Sequence, residues 1–343
     1  MPGQIAQYKI LYVAPLPPGG SCLYRMKALE EFGHRVIPLS TRMDPQKYNL
    51  YQKIRTRILG PADLMKVNQR ILTAISKESF DLIWIDKGIY VFPETLKEVK
   101  RTTRSLLVHH NTDDFKHVRF FFRHYVKSIP FYDIHFTSNK FNIPELYELG
   151  AKKVCFSELG YDHHLCQPVE ALNDDYKTDL FFIGHWEPAT EDYIVALVKA
   201  GLPVSVRGAG WHKARNKKTL KSVLKSGSLS EEAYIKALCS GKIGLGIVSK
   251  WNRNQTAGRV FDIPACGVFL LAVRNPAMQA LYQEGVEAEF FSSAKELVQK
   301  ARFYLEHEEE RKKIALAGYK RCISGKYSWK DRVEEMLAEI GNF

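Results

Sequence analysis

The chain has 343 residues, of which 45% are hydrophobic and 26% charged, a composition that is typical of folded proteins and excludes a disordered chain. At roughly 100–200 residues per domain, this length predicts two domains. The 50 lysines and arginines outnumber the 38 acidic residues and give a net charge of +12, which predicts an anionic partner such as nucleic acid, anionic lipid or a phosphorylated small molecule.

No apolar run reaches the roughly 18 residues that a membrane-spanning helix requires. The apolar segment Ile10–Leu16 leads into prolines without a small-residue cleavage site, so we interpret it as a strand rather than a signal peptide. The 6 cysteines include neither a C-x-x-C pair nor a histidine at zinc spacing. These features predict a cytoplasmic protein without a metal site.

The N-terminal half alternates between strands and helices. Its beginning predicts a βαβ unit made of a strand, a glycine-containing loop, a helix and a second strand: Lys9–Ala14, Pro15–Ser21, Cys22–Phe32 and His34–Leu39. Four more strands are predicted downstream: Asp81–Asp86, Ser105–His109, Asp133–Thr137 and Val154–Phe156. Such alternation predicts a parallel sheet with helices on both faces.

The alternation breaks at the polar stretch Pro168–Lys177 and begins again with the strand Thr178–Ile183. The elements predicted after it are three strands and two helices: Pro203–Arg207, Ser230–Cys239, Ile243–Val248, Arg259–Cys266 and Val268–Val273. A final helix over Ser328–Ile340 has a capping signature and an apolar stripe.

We therefore predict an α/β protein with two Rossmann-like, doubly wound domains that face each other across a cleft. The first comprises residues 1–167 together with a C-terminal helix from about 326 to 343, which packs back on it, and the second comprises 168–325. In open α/β sheets ligands bind beyond the carboxyl ends of the strands. Residues that follow each strand are therefore the site candidates.

The segment Lys250–Leu271 is the densest group of such candidates. A helix that starts near Thr256 would bring Arg259 and free N–H groups to a diphosphate, and Asp262, one turn further on, could accept hydrogen bonds from ribose hydroxyls. The alternative is a helix whose Arg259 and Asp262 face solvent.

Glycines after other strands form a second set of candidates. Gly19 and Gly20 could let the backbone approach a phosphate or sugar, although neither a G-x-G-x-x-G nor a Walker sequence is present, which disfavours NAD and ATP. Gly184 follows one strand, and Gly208-x-Gly210-Trp211 follows another and could hold a nucleobase. A plain tight turn at Gly19–Gly20 and core packing of Trp211 remain alternatives.

Acid–base candidates follow the strand Ser105–His109. Asp113 or Asp114 could orient or deprotonate an acceptor hydroxyl, and the imidazole of His110 has a pKa suited to the same task. An Asp that caps the next helix is the alternative. Asp86 and Lys87 are weaker candidates, for which an ion pair is at least as good an interpretation.

Three basic stretches carry much of the positive charge: Lys47–Leu59, Lys116–Lys127 and Lys213–Lys225. In Lys116–Lys127 basic and aromatic residues alternate at helical spacing without an acid. Such surfaces could contact anionic lipid, a lipid-linked acceptor or DNA phosphates. The alternative is a solvated helix face with its aromatic residues in the core.

The motifs in this order resemble the CgeB-like (spore-maturation-protein-B-like) glycosyltransferases. The run N-R-N-Q-T-x-G-R-V-F-D-I-P-A-C-G-V-F-L-L from Asn252 to Leu271 resembles their donor-binding signature. Leu23–Val36, His110–Asp114 and Arg207–Trp211 also resemble segments of that family. The resemblance implies a GT-B fold, a nucleotide sugar (a UDP-sugar being our first choice) in the C-terminal domain, an acceptor in the N-terminal domain and no obligatory metal.

The chain also departs from the broader, retaining relatives. They carry two acids eight residues apart, whereas here Asn254 stands at the first of these positions and the shorter Asp262 at the second. The basic pair that many relatives place after the strand ending at Gly184 is missing from His185–Asp192. Diphosphate binding would then depend more on Arg259.

The sequence thus predicts a metal-independent, retaining glycosyltransferase that acts on a glycan, a lipid-linked or a surface-polysaccharide intermediate, with possible peripheral contact to the inner membrane face. Two alternatives remain. A DNA glucosyltransferase of phage type would use the positive charge for nucleic acid, and a non-catalytic nucleotide-sugar-binding protein would explain Asn254 and the missing basic pair.

Overall fold

The computed structural model describes residues 7–42, 62–117, 122–169, 176–225, 229–253 and 255–343. The chain divides into two compact units, Met1–Glu158 with Lys330–Phe343 and Leu159–Trp329. The predicted boundary between 167 and 168 lies within the second of these units. The basic stretch Lys47–Leu59 lies outside the described residues.

The first unit contains a parallel sheet of six strands in the order β2-β1-β3-β4-β5-β6. Its strands are β1 (Lys9–Ala14), β2 (Arg35–Ser40), β3 (Leu82–Asp86), β4 (Leu106–Asn111), β5 (Ile134–Thr137) and β6 (Val154–Phe156). The helices between them are α1 (Ser21–Glu31), α2 (Val67–Lys77), α3 (Pro93–Thr102), α4 (Arg123–Ser128) and α5 (Asn142–Glu148).

Alternating residues of the sheet face two separate cores. Ile10 and Tyr12 of β1 pack on one face with α1, while Leu11 and Val13 pack on the other with α2 and α3. The final helix of the chain, Trp329–Gly341, buries Val333, Met336, Leu337 and Ile340 in the same core as α1. This apolar stripe is what returns the C-terminal helix to the first unit.

The second unit contains a parallel sheet of five strands in the order β11-β10-β9-β7-β8. Its strands are β7 (Thr178–Ile183), β8 (Val204–Arg207), β9 (Gly241–Gly246), β10 (Phe269–Val273) and β11 (Glu289–Phe291). Its helices are α6 (Pro188–Lys199), α7 (Lys217–Leu220), α8 (Glu231–Cys239), α9 (Arg259–Ala265), α10 (Pro276–Leu281), α11 (Ala294–Glu306) and α12 (Glu308–Ser324), and α13 is the C-terminal helix already given.

Two cores also cover this second sheet. Leu180 and Phe182 of β7 face a core that includes α6 and α11, while Phe181 faces one that includes α8 and α9. Both sheets are therefore parallel and covered on both faces, which confirms the α/β prediction. Among the described helices, none is long and apolar enough to cross a lipid bilayer.

Candidate functional site

Arg259 joins the carboxyl ends of two strands in the second unit. Its Nε donates to the carbonyl oxygen of Ile183 at 3.2 Å, and its Nη1 donates to that of Ile247, which follows β9. The guanidinium carbon lies 4.8 Å from the centre of the Phe182 ring. The side chain is thus held by two backbone acceptors and an aromatic face, none of which neutralises its charge.

The positive charge of Arg259 is therefore available to a ligand. Among the described residues, no carboxylate lies within ion-pair distance of the guanidinium. Burial lowers the pKa of Arg259 from its usual value, but a guanidinium stays protonated at physiological pH. The Arg259 side chain is only partly buried. An anion can therefore reach its guanidinium group.

Gly184 permits this position of Arg259. A Cβ added at Gly184 would lie 2.4 Å from Nη2 of Arg259 and 2.7 Å from Cζ of Phe182. At Gly208, which lies in the loop after β8 and has a φ of +131°, an added Cβ would lie 2.1 Å from the carbonyl oxygen of Gly184. Gly184 therefore leaves room for the Arg259 guanidinium, and Gly208 leaves room for the backbone of Gly184.

Asp262 lies one helical turn after Arg259 and is held by two neighbours. Its Oδ2 accepts a hydrogen bond from the hydroxyl of Tyr234 at 2.8 Å, and its Oδ1 accepts one from the thiol of Cys166 at 3.7 Å. Burial raises the pKa of Asp262 to about 7. Tyr234, which lies on α8, was not among the sequence candidates, because no local pattern relates it to a residue 28 positions away.

Glu187 is a second residue that the sequence did not single out. Its side chain is buried, and its carboxylate accepts hydrogen bonds from the hydroxyl of Ser249 and from the backbone N–H of Lys250 at 3.0 Å. Glu187 thus connects the segment after β7 to the loop after β9. The exposed Lys250 lies in that loop. The sequence signal that could have indicated Glu187 is its position immediately before a helix that begins with proline.

The other predicted donor residues of this unit are less accessible. Trp211 is 6% exposed, lies in the core and donates its indole N–H to the carbonyl oxygen of Gly184 at 3.1 Å, so the core-packing alternative describes it. Gly210 is in the left-handed region with a φ of +86°. Thr256 is buried and precedes α9, which begins at Arg259 rather than near Thr256, and Asn254 lies outside the described residues.

The glycine loop of the first unit forms a tight turn. The backbone N–H of Gly20 donates to the carbonyl oxygen of Pro17 at 3.1 Å, and Gly20 is the N-cap of α1. Gly19 is in the left-handed region with a φ of +74°. The arrangement is that of the tight-turn alternative, and the first turn of α1 carries no acidic residue.

His110 lies inside the first unit and does not reach its surface. Its side chain is 0% exposed, and its Nδ1 is 3.0 Å from Oδ1 of Asp86. Burial, together with the charge of Arg25, lowers the pKa of His110 to about 4. The predicted strand ended at His109, whereas β4 continues through Asn111, and this is the physical reason why His110 belongs to the sheet and not to the loop.

Arg25, Asp86 and Tyr12 complete this buried polar cluster. Nη2 of Arg25 donates to both oxygens of Asp86, at 2.9 and 2.8 Å, and the hydroxyl of Tyr12 donates to Oδ2 at 2.5 Å. Burial raises the pKa of Asp86, but the adjacent Arg25 guanidinium and the hydrogen bonds outweigh it and hold that pKa well below its usual value. Asp86 is therefore an ionised structural carboxylate.

The two aspartates after β4 have different surroundings. Asp114 is buried, and its Oδ1 accepts hydrogen bonds from the backbone N–H of Lys116 at 3.1 Å and from Nδ2 of Asn142 at 3.0 Å. Asp114 thus stabilises a local turn, whereas the alternative given above was a cap of the next helix; the next described helix, α4, has no side-chain cap. Asp113 is partly exposed and forms an ion pair with Lys87, with an Nζ to Oδ2 distance of 2.6 Å.

Comparisons with known proteins show which protein family this chain resembles. Residues 191–338 match the family model described as "Glycosyl transferase-like", and no curated protein sequence matches the chain. Residues 191–338 therefore form a glycosyl transferase-like domain. The sequence prediction of a glycosyltransferase is confirmed to that extent, while the CgeB-like subfamily stays a prediction.

Solved structures of other proteins share the fold of the whole chain at low sequence identity. Sucrose-phosphate synthase from Thermosynechococcus elongatus has a TM-score of 0.71 at 12% identity, over 97% of this chain and 98% of that one. HepE from Anabaena in complex with UDP-glucose has a TM-score of 0.64 at 13% identity, over 98% and 100%. An α,α-trehalose-6-phosphate synthase from Burkholderia multivorans has a TM-score of 0.65 at 13% identity, over 98% and 99%.

The first unit also contains a cavity of approximately 340 Å³ at the carboxyl ends of β1, β2 and β3. Its walls include Val13, Ile85 and Tyr90, and its polar groups include Thr41, Arg42 and Lys87. Lys87 is also the ion-pair partner of Asp113. Lys87 therefore lines the cavity and also binds Asp113, the more accessible of the two aspartates.

Proposed function

We propose that the chain transfers a sugar from a UDP-sugar to an acceptor hydroxyl, with the donor held by the second unit and the acceptor by the first. The observation that carries the proposal is Arg259, whose charge has no carboxylate partner among the described residues although two strand ends fix its position. This residue lies within the segment that matches the glycosyl transferase-like model.

The donor would be held by three side chains of the second unit. Arg259 would bind the diphosphate, and the exposed ammonium of Lys250 would add a second positive charge. Asp262 would accept hydrogen bonds from ribose hydroxyls while Tyr234 keeps its carboxylate in place. The complexes of HepE with UDP and UDP-glucose support UDP as the nucleotide.

We propose that departure of the diphosphate needs no metal. The negative charge that develops on the leaving oxygen would be stabilised by the fixed guanidinium of Arg259, which requires no reorganisation during the reaction. Asn254 and the backbone groups of Gly184, Gly208 and Gly210 complete the proposed donor site. Retention of the anomeric configuration is a further part of the proposal and follows from the resemblance to retaining relatives.

On the acceptor side we propose Asp113 as the carboxylate that orients or accepts the proton of the acceptor hydroxyl. Asp113 is preferred to His110 and Asp114 because its carboxylate is partly exposed, whereas the other two are buried. The acceptor would occupy the cavity that Lys87 and Arg42 line. Gly19 and Gly20 lie on the loop after β1, where they could border such an acceptor.

A basic surface of the second unit supports a polyanionic or lipid-linked acceptor. Within Lys213–Lys225 the exposed lysines are Lys213, Lys217, Lys218, Lys221 and Lys225. Five exposed cations on a short segment would attract anionic lipid headgroups or a charged glycan. Part of the other basic stretch, Lys116–Lys127, lies outside the described residues.

The experiment is a thermal-shift series with UDP, GDP, ADP, CMP and dTDP and their sugars, followed by turnover with the nucleotide sugar that binds. A ligand of the native state raises the unfolding midpoint, and we expect the largest shift with UDP or a UDP-sugar. Release of UDP from UDP-glucose that depends on a glycan or lipid acceptor, with the sugar recovered on that acceptor, would establish transfer. Transfer to modified DNA would support the DNA alternative, and binding without any turnover would support a non-catalytic protein.

A further inference from the structure

Three cysteines meet beside Asp262 in the second unit. Hydrogen bonds with the Cys166 and Cys239 thiols hold the pKa of the Cys266 thiol well above its ordinary value. Cys166 also donates to Oδ1 of Asp262. All three cysteines are free, and the proposed function uses none of them.

Cys239 and Cys266 lie at the ends of the two helices that carry the Tyr234–Asp262 hydrogen bond. Cys239 is the last residue of α8, which also carries Tyr234. Cys266 directly follows α9, which carries Asp262. Sγ of Cys239 lies 3.9 Å from the carbonyl oxygen of Cys266. A covalent bond between the two cysteines would therefore connect the helices that position the carboxylate.

The two thiols of this pair differ in accessibility and acidity. Cys239 is partly exposed, whereas Cys266 is buried. The hydrogen bond from Cys266 holds the pKa of Cys239 below its ordinary value. The thiolate is the reactive form of cysteine, so Cys239 meets an oxidant first and Cys266 is the neighbour that can react with the product.

We propose that Cys239 and Cys266 form an oxidisable dithiol site that peroxides convert to a disulfide. The Cys239 thiolate attacks one peroxide oxygen, the O–O bond breaks, and a sulfenic acid and water form once the leaving hydroxide is protonated. The sulfur of Cys266 then attacks the sulfenic sulfur, its proton passes to the departing hydroxide, and an S–S bond replaces the S–O bond. Two thiols and one hydrogen peroxide thus give one disulfide and two waters.

The disulfide would weaken donor binding, and this consequence rests on the proposed function. An S–S bond of about 2.05 Å is much shorter than a thiol–thiol contact, so its formation draws the ends of α8 and α9 together. Tyr234 would then move relative to Asp262. We expect the affinity for UDP to fall at least threefold in the oxidised protein.

The test treats the full chain with hydrogen peroxide and maps the products by mass spectrometry without reduction. We expect a linked peptide that contains Cys239 and Cys266, and its loss in Cys239→Ser. Iodoacetamide at pH 7 should modify Cys239 at least about tenfold faster than Cys155. Cys155 is the matched control, because it is also partly exposed but burial raises its pKa to about 11; Cys155→Ser should retain the linkage.

Three results would overturn the proposal: six free thiols after oxidation, a linkage that persists in Cys239→Ser, or a linkage through Cys166 in place of Cys239. Calorimetry with UDP on the reduced and oxidised forms tests the coupling separately. Equal affinities would overturn the coupling. Absence of UDP binding in both forms would count against the proposed function, while the peptide map would still decide the dithiol site.

Discussion

Arg25 and Asp86 form a fully buried ion pair, 61 positions apart in the sequence, in which Nη2 of the arginine lies 2.9 and 2.8 Å from the two carboxylate oxygens. The pair fixes α1 to the end of β3. Taking two charges out of water costs free energy that only good geometry and further hydrogen bonds offset, and here Tyr12 and His110 supply those bonds.

We expect Arg25→Met to destabilise the first unit by about 3–5 kcal/mol, because it leaves the Asp86 carboxylate buried without its counter-ion. Chemical denaturation followed by tryptophan fluorescence measures the change. Arg101→Ala is the control, since its ion pair with Glu98 is exposed, and it should leave the midpoint unchanged. If Arg25→Met and the control are equally stable, the pair does not hold α1 in place.

Arg259→Ala should weaken UDP binding by about 2–3 kcal/mol, which is typical of a lost charge-assisted contact. Gly184→Ala should have a similar effect without removing any charge, because its Cβ would lie 2.4 Å from Nη2 of Arg259 and displace the guanidinium. Isothermal titration calorimetry with UDP gives both affinities. Arg302→Ala, an exposed arginine of α11, should bind UDP like the unmodified protein.

A result in which Arg259→Ala binds UDP normally would remove this arginine from the donor site. Weak binding by Gly184→Ala combined with normal binding by Arg259→Ala would mean that the glycine matters for its backbone and not for the guanidinium. Together, the two variants separate the contribution of the Arg259 charge to UDP affinity from that of close packing at Gly184.

The regular elements were largely predictable from the sequence, because they depend on local patterns. Lys9–Ala14 and Thr178–Ile183 have the predicted bounds, since continuous apolar runs between turn signals are typical of buried parallel strands. The helix predicted over Ser230–Cys239 is observed at Glu231–Cys239, with Ser230 as its N-cap, whose hydroxyl accepts a hydrogen bond from the backbone N–H of Ala233.

The site was less predictable, because it depends on where strands end and on contacts between distant residues. Two additional strand residues place His110 inside the sheet. Tyr234 reaches Asp262 only because α8 and α9 cover the same face of the sheet. Arg25 gave a local signal that could have been used, since it lies between Cys22 and Leu29 on the buried face of α1.

Asp262→Asn should stabilise the second unit above pH 7 while it weakens donor binding. The raised pKa, about 7, means that folding favours the protonated carboxyl, so the stability contribution of Asp262 falls as pH rises from the unfolded value of about 4 to about 7. We expect a gain on the order of 1–2 kcal/mol at pH 8, which a thermal melt would detect.

The same titration predicts how the unmodified protein binds UDP-glucose. Protonation of Asp262 replaces a charged acceptor for the ribose hydroxyls by a weaker, neutral one, so affinity should fall as pH decreases through about 7. Calorimetry between pH 6 and 8 tests this, and Asp262→Asn should show a flat profile. An unchanged profile in the variant compared with the unmodified protein would assign the titration to another group.

Asp113→Asn should lower kcat for UDP-glucose hydrolysis by about 100-fold, the scale of a lost general base, with KM nearly unchanged. Glu94→Gln, at an exposed acid of α3, is the control for removal of a surface charge. Lys87→Gly tests whether the position of the Asp113 carboxylate matters separately from its proton transfer. Lys87 has a φ of +67°, which glycine adopts without strain. This variant therefore removes the ion pair with Asp113 and keeps the backbone conformation. We expect kcat to fall less in Lys87→Gly than in Asp113→Asn, because the Asp113 carboxylate remains but is less well held. A normal kcat in Asp113→Asn would assign the general base to a different residue.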